Sequence, residues 1–224
     1  MTLTRILPTL RRSIPDPINH DLWPELTRAT TTDVVVAGVS LLRVVDLCGT
    51  PCVHSAAAVL PGTRGIPSDT ERTTAIVVRI ASVERDASGT LRIVIDAALG
   101  DVRPSLSETR LIARASTARV ASAVLVEKGW PDERAEQQPE TDVLADRGST
   151  QPREWPLAQG LPADLAEGDL LAIPCRGSVM LSDVRPLTAP DHVPASAEWM
   201  PGWRAGEQRG ARLTPGGTWL ALLE

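Results

Sequence analysis

The chain has 224 residues, 42% of them hydrophobic and 23% charged, and a formal net charge of −5. That composition fits a globular protein and gives no global attraction for nucleic acid or for an anionic membrane. No apolar run approaches the roughly 18 residues a membrane span needs, and the opening MTLTRILPTLRRSIPDP lacks the apolar core of a signal peptide. Three cysteines, an odd number, do not suggest a disulfide scaffold, so a cytoplasmic location is expected. There is no Phe, no Tyr and a single lysine, Lys128. Six Trp must therefore supply all large aromatic packing, and no phenol is available for acid–base chemistry.

In chain order, residues 1–32 read as a Pro-rich arm. Leu3, Ile6, Leu7 and Leu10 sit at helical spacing, so a short helix with one apolar face is expected over Leu3–Ser13. Pro15, Pro17 and Pro24 end it, and Trp23 should pack the arm on the body. The β-branched run Asp33–Gly38 predicts a strand. Ser40 then caps a helix over Leu41–Leu47, with Gly49 just past its end. Pro51–Val59 should be extended, and the turn-rich stretch 61–72 reads as a linker. Thr74–Val83 and Leu91–Ile95 form a hairpin around Asp86-Ala-Ser-Gly89. Leu111–Ala115 and Arg119–Val126 are further strands, and the charged, Gln-rich stretch 127–154 reads as a surface insertion. Leu161–Ile173 puts a polar turn ahead of a strand, and Val179–Val184 reads as another. Residues 187–224 form a Pro/Gly/Trp-rich tail in which only Thr218–Leu223 reads as a strand. Many short strands with turn signals and few, short helices predict a mainly β domain over 33–186, a Greek-key-like β-barrel.

Three segments, in order, resemble the diaminopimelate decarboxylases, which are fold-type III pyridoxal-phosphate enzymes. The first is ILPTLRRSIPDPINHDLWPELTR with VVVAGVSLLRVVDLCGTPCVHS, where Gly49-Thr50-Pro51 matches a tripeptide that precedes the family's first barrel strand. The second is IVVRIASVERDASGTLRIVIDAALGDVRPSL, where Asp96, Gly100 or Asp101, and Arg103-Pro104 match the family's VDGGMxDxxRP motif. The third is TDVLADRG with LPADLAEGDLLAIPCRGSVMLSDVRP, similar to the family's CESGDVL, LPxxxxGDLL and GAY sequence. The resemblance implies a β-domain like the C-terminal domain of those enzymes, and a link to lysine biosynthesis.

It also implies a loss. The family's catalytic (β/α)₈ barrel, about 250 residues in such barrels generally, would fall between Ser55 and Thr73, where only the linker stands. That barrel carries the imine-forming lysine, the phosphate cradle and the partner of the pyridine nitrogen. Lys128 lies in Val-Glu-Lys-Gly-Trp, unlike the family's lysine motif. Gln138, Pro139, Glu140 and Thr141 stand at the Cys-Glu-Ser-Gly positions, and Gly177-Ser178-Val179 stands at Gly-Ala-Tyr. No catalytic residue and no cofactor are therefore expected in the isolated chain, with pyridoxal phosphate only if a separate subunit supplies the barrel.

Other candidates were weighed on their residue chemistry. Cys48, Cys52 and His54 offer zinc-type ligands without a second pair, so no metal is expected. Cys175 with His192 could be drawn as a nucleophile and base, but Cys175 falls on a core strand, where thiols are inert. Asp96, Asp101 and Arg103 read either as a ligand-binding set or as a turn with an internal ion pair, with the turn favoured. Trp199, Trp203 and Trp219 read either as an interaction surface or as a cap on the barrel. The expectation is a non-catalytic interaction or regulatory protein that self-associates or binds a protein partner. The alternative is the β-domain subunit of a split decarboxylase.

Overall fold

The computed structural model describes residues 3–63, 65–127 and 153–185. The chain divides into two units, Met1–Ala189 and Pro190–Glu224, and all described residues fall in the first. Trp199, Trp203, Trp219, the strand expected over Thr218–Leu223, Lys128 and all but the ends of the 127–154 insertion lie outside the described residues.

The arm begins with α1 (Leu3–Ile6), followed by 3₁₀ turns at Pro8–Arg12 and His20–Leu22. The single helix expected over Leu3–Ser13 is thus broken at Leu7. Pro8 has no amide hydrogen to donate back and its ring starts a new turn. Much of the apolar stripe is turned outward, with Leu3 60%, Ile6 62% and Leu7 51% exposed. Trp23 does anchor the chain, fully buried.

A small antiparallel sheet follows: β1 (Arg28–Ala29), β2 (Val34–Val36) and β3 (Val39–Ser40). The expected strand at 33–38 is therefore a two-residue hairpin. Ala37 and Gly38 both take positive φ, 48° and 84°, as such tight turns require. α2 spans Leu41–Cys48, and the Ser40 hydroxyl accepts the Arg43 amide at 3.1 Å. The Asp33 carboxylate supports the same cap, accepting from Val34 N, Leu42 N and Ser40 Oγ.

The main sheet has eight strands: β4 (Cys52–Val59), β5 (Pro67–Arg85), β6 (Leu91–Ile95), β7 (Arg103–Pro104), β8 (Arg110–Ile112), β9 (Val120–Glu127), β10 (Glu154–Pro162) and β11 (Leu170–Arg176). Its order is β10-β9-β6-β5-β11-β7, with β4 paired to β5 and β8 to β11. The result is a mainly β domain on a curled, open sheet with a few short helices. The turn between β4 and β5 is shorter than the 61–72 stretch expected as a linker, because β5 starts at Pro67. β10 starts at the last residue of the expected insertion, runs through 155–160, where no element was expected, and ends in the expected polar turn. Among the described residues it pairs only with β9, and such an edge strand tolerates Pro156 and Pro162. Val179–Val184, expected as a strand, is instead a loop and a single turn, α3 (Leu181–Val184). The Asp183 carboxylate caps it by accepting the Met180 amide at 2.8 Å.

β5 is the spine. Its first half pairs with β4 on one edge and β11 on the other, and from Ile80 onward it pairs with β6. Because strand side chains alternate, it feeds two cores. Ile76, Val78 and Ile80 join Ile93, Ile95, Leu125, Leu171 and Ile173 on one face. Ala75 and Val77 join Trp23, Val34, Val36, Leu41 and Ala172 on the other. Burial on both faces explains the unbroken apolar run of the sequence there.

Replacing Ile76 by Ala is expected to cost about 2–5 kcal/mol of unfolding free energy. Replacing Leu47, 71% exposed, should cost within about 0.5 kcal/mol. Urea denaturation of both variants checks this, and equal losses would contradict the burial pattern.

Candidate functional site

Among the described residues, no side-chain hydrogen bond or ion pair links Asp96, Asp101 and Arg103. Asp96 Oδ2 accepts the Thr50 hydroxyl at 2.6 Å and Oδ1 accepts the Arg79 amide at 2.7 Å. Arg79 Nε also donates to Thr50 Oγ1 at 3.3 Å. Asp96 thus ties the loop before β4 to the middle of β5. Asp101 and Arg103 are exposed and make no side-chain hydrogen bond or ion pair among the described residues, so the expected internal ion pair is not formed either.

The cysteines divide by position. Cys48 is exposed at the end of α2, whereas Cys52 and Cys175 are buried. Burial, then the nearby Cys48 and Asp96, push the Cys52 thiol up to about 11. Burial also raises Cys175, so both buried thiols are held in the protonated, unreactive form. No group of three or more His, Cys, Asp or Glu among the described residues is placed to hold a metal. The chain's single lysine, Lys128, lies outside the described residues.

Two polar constellations escaped the sequence reading. In the first, Arg114 lies two residues after β8 and forks onto Asp169, with Nε donating at 2.8 Å and Nη2 at 2.6 Å. The same guanidinium donates to the Asp164 carboxylate and carbonyl, and Ser116 donates to Asp164 at 2.5 Å. The Asp169 hydrogen bonds lead the effects that raise Arg114 above its ordinary value. Burial works to raise the Asp164 carboxyl, but the hydrogen bonds from Ser116 and Arg114 outweigh it, and the net shift is downward. This cluster fastens the turn before β11 to the segment after β8.

The second lies where the arm meets β8. Arg110 Nη1 donates to the Asp16 carbonyl at 2.7 Å, and Nη2 donates to the Pro17 carbonyl. Glu108 Oε2 accepts from Asn19 N at 3.3 Å, from the Trp23 indole at 3.0 Å and from Arg110. Arg11 Nη1 reaches the Ala118 carbonyl at 3.1 Å. Burial lowers Arg110, opposed by the charges of Glu108 and Asp16. Beside this seam is a cleft of about 410 Å³, walled on its apolar side by Pro17, Ile18, Leu111, Val120, Leu161 and Pro162. Gly160 lines it too. At φ +64°, its Cβ position would collide with the Ala121 carbonyl, so only glycine lets β10 pass so close to β9 there. Neither Asp96, Asp101 nor Arg103 lines this cleft.

The lowered Asp164 carboxyl sets a pH dependence. A carboxyl whose folded value lies below its unfolded value, near 3.9, stabilises the fold above that value and loses its contribution as pH falls through the folded one. Asp164→Asn should therefore lower the Tm at neutral pH, and the gap to the parent chain should close in acid. A gap that stays constant across the acid range would contradict the assignment.

Among the described residues, no helix is long and apolar enough to cross a membrane. Comparison with protein-family models, with curated proteins and with solved structures finds no match.

Proposed function

We propose that the chain is a non-catalytic interaction or regulatory protein, a Greek-key-like barrel derived from a decarboxylase β-domain, and that it acts by associating with a second copy of itself. One observation carries this reading. Where the resemblance calls for a catalytic barrel, the chain passes from Val59 to Pro67, and β4 and β5 pair continuously from Cys52↔Val77 to Ala57↔Arg72 and again at Val59↔Pro67. The turn is closed by Leu60 N donating to Ile66 O and by the Thr63 hydroxyl donating to Leu60 O. A hairpin that satisfies its own backbone needs no inserted domain to complete it. The same hairpin counts against the alternative of a split enzyme, because the junction where a barrel would attach is already paired.

The surface for association is the outward face of the arm. Leu3, Ile6 and Leu7 lie on neighbouring turns and are more than half exposed, with Ile14 also exposed. Apolar side chains grouped in this way mark contact sites more often than isolated ones do. In the enzymes that the sequence resembles, the β-domain packs against the catalytic barrel and against the partner subunit of a dimer, which supports a homotypic partner.

Sedimentation equilibrium over a wide concentration range should show self-association. The triple variant Leu3→Glu, Ile6→Glu, Leu7→Glu should weaken it by about tenfold or more. A parent chain that stays monomeric, or a variant that associates equally well, would defeat the proposal.

A further inference from the structure

We infer that the Glu108–Arg110 pair forms a groove that reads the backbone of an extended, proline-containing segment. The arm residues Pro15-Asp16-Pro17-Ile18-Asn19 are its resident occupant, and the same segment of a second copy is its partner in trans. This deepens the self-association reading and rests on it for the identity of the partner.

The contacts are of the backbone-reading kind. Arg110 donates to two consecutive carbonyls, of Asp16 and Pro17. Glu108 accepts the amide of Asn19, two residues further on. These three bonds involve no side chain of the arm, so what they select is an extended path with carbonyls and an amide at fixed spacing. Proline at positions 15 and 17 favours that path in the free segment, which lowers the ordering cost of docking. An acidic side chain at the end of the turn Leu106–Glu108 and a basic one at the first residue of β8 thus form a complementary fork for a peptide main chain.

The resident occupant fits imperfectly. Five buried side-chain nitrogen or oxygen atoms among the described residues lack a hydrogen-bond partner, and four gather at this seam: Arg11 Nε, Asp16 Oδ1, Thr109 Oγ1 and Arg110 Nε. Arg11 Nε lies 3.3 Å from Asp16 Oδ2 as an ion pair, yet its hydrogen is not aligned for a bond. These atoms mark the seam as a place where further polar partners can be accommodated. Beside it, the cleft offers unfilled volume against apolar walls. The segment is held by these polar bonds together with the partly buried Ile18, and it is an element that can be exchanged between copies without any new interface chemistry.

The test uses a fluorescent synthetic peptide of residues 8–22 added to the full chain, with fluorescence anisotropy as the readout. Saturable binding is expected. Loosening the resident arm with Pro15→Gly and Pro17→Gly should tighten peptide binding roughly tenfold, because the free arm gains conformational freedom. N-methylating the peptide amide that corresponds to Asn19 should weaken binding by about tenfold or more, because Glu108 then faces no donor. That change leaves the protein untouched. Arg110→Met should weaken binding similarly, with circular dichroism to show that the variant folds. No binding to the loosened chain, or binding indifferent to N-methylation, would overturn the groove. If the groove fails while the parent chain still self-associates, the interaction reading survives without it. If the peptide binds as expected but the chain stays monomeric, the groove stands and its partner is not a second copy.

Discussion

The fold depends on β5 being paired along both edges while its two faces point into two different cores. Residues 73–77 lie between β4 and β11 in one continuous ladder. Ile76 and Val78 fill the larger core, and Ala75 and Val77 meet the layer built by Trp23, the small sheet and α2. Each of the other features hangs on this strand. β4 completes its edge, Asp96 pins the loop before β4 to Arg79, and the Gly168-Asp169 turn bonds the backbone of Ile80 at the point where the pairing shifts to β6. β4 and β5 thus close their own backbone across the short turn between them.

What could be read from sequence was what is encoded locally. The β5–β6 hairpin is visible because an alternating run meets Asp86-Ala-Ser-Gly89, and the Asp86 carboxylate does accept the Ser88 and Thr90 amides. α2 is visible because Ser40 and Gly49 mark its ends. β11 is visible because both of its faces are apolar. β10 was hidden by Pro156, Gly160 and Pro162, which read as loop signals until its edge position is known. α3 was hidden because Val179 and Val184, the buried pair, look like the ends of a strand.

The polar constellations were hidden for a different reason. Arg114 meets Asp164 and Asp169, 50 and 55 residues away, and Arg110 meets Asp16 and Pro17, 94 and 93 residues away. No local pattern announces such pairs. The arm is held through Trp23, as its sequence suggested, and by polar bonds, while Leu3, Ile6 and Leu7 face outward; spacing alone does not show which way an apolar stripe turns. The two cores use Trp23 and the residues after it, together with the partly buried Ile18 and Leu22.

The central claim is that this domain is complete around β5 without a catalytic barrel. Native-state hydrogen exchange of the isolated chain tests it most directly. The account predicts that the amides of β4 and of the first half of β5 exchange only through global unfolding, as slowly as those of β6 and β9. Fast exchange confined to β4 and the start of β5 would mean that this edge is frayed and awaiting a partner chain, and would contradict the account.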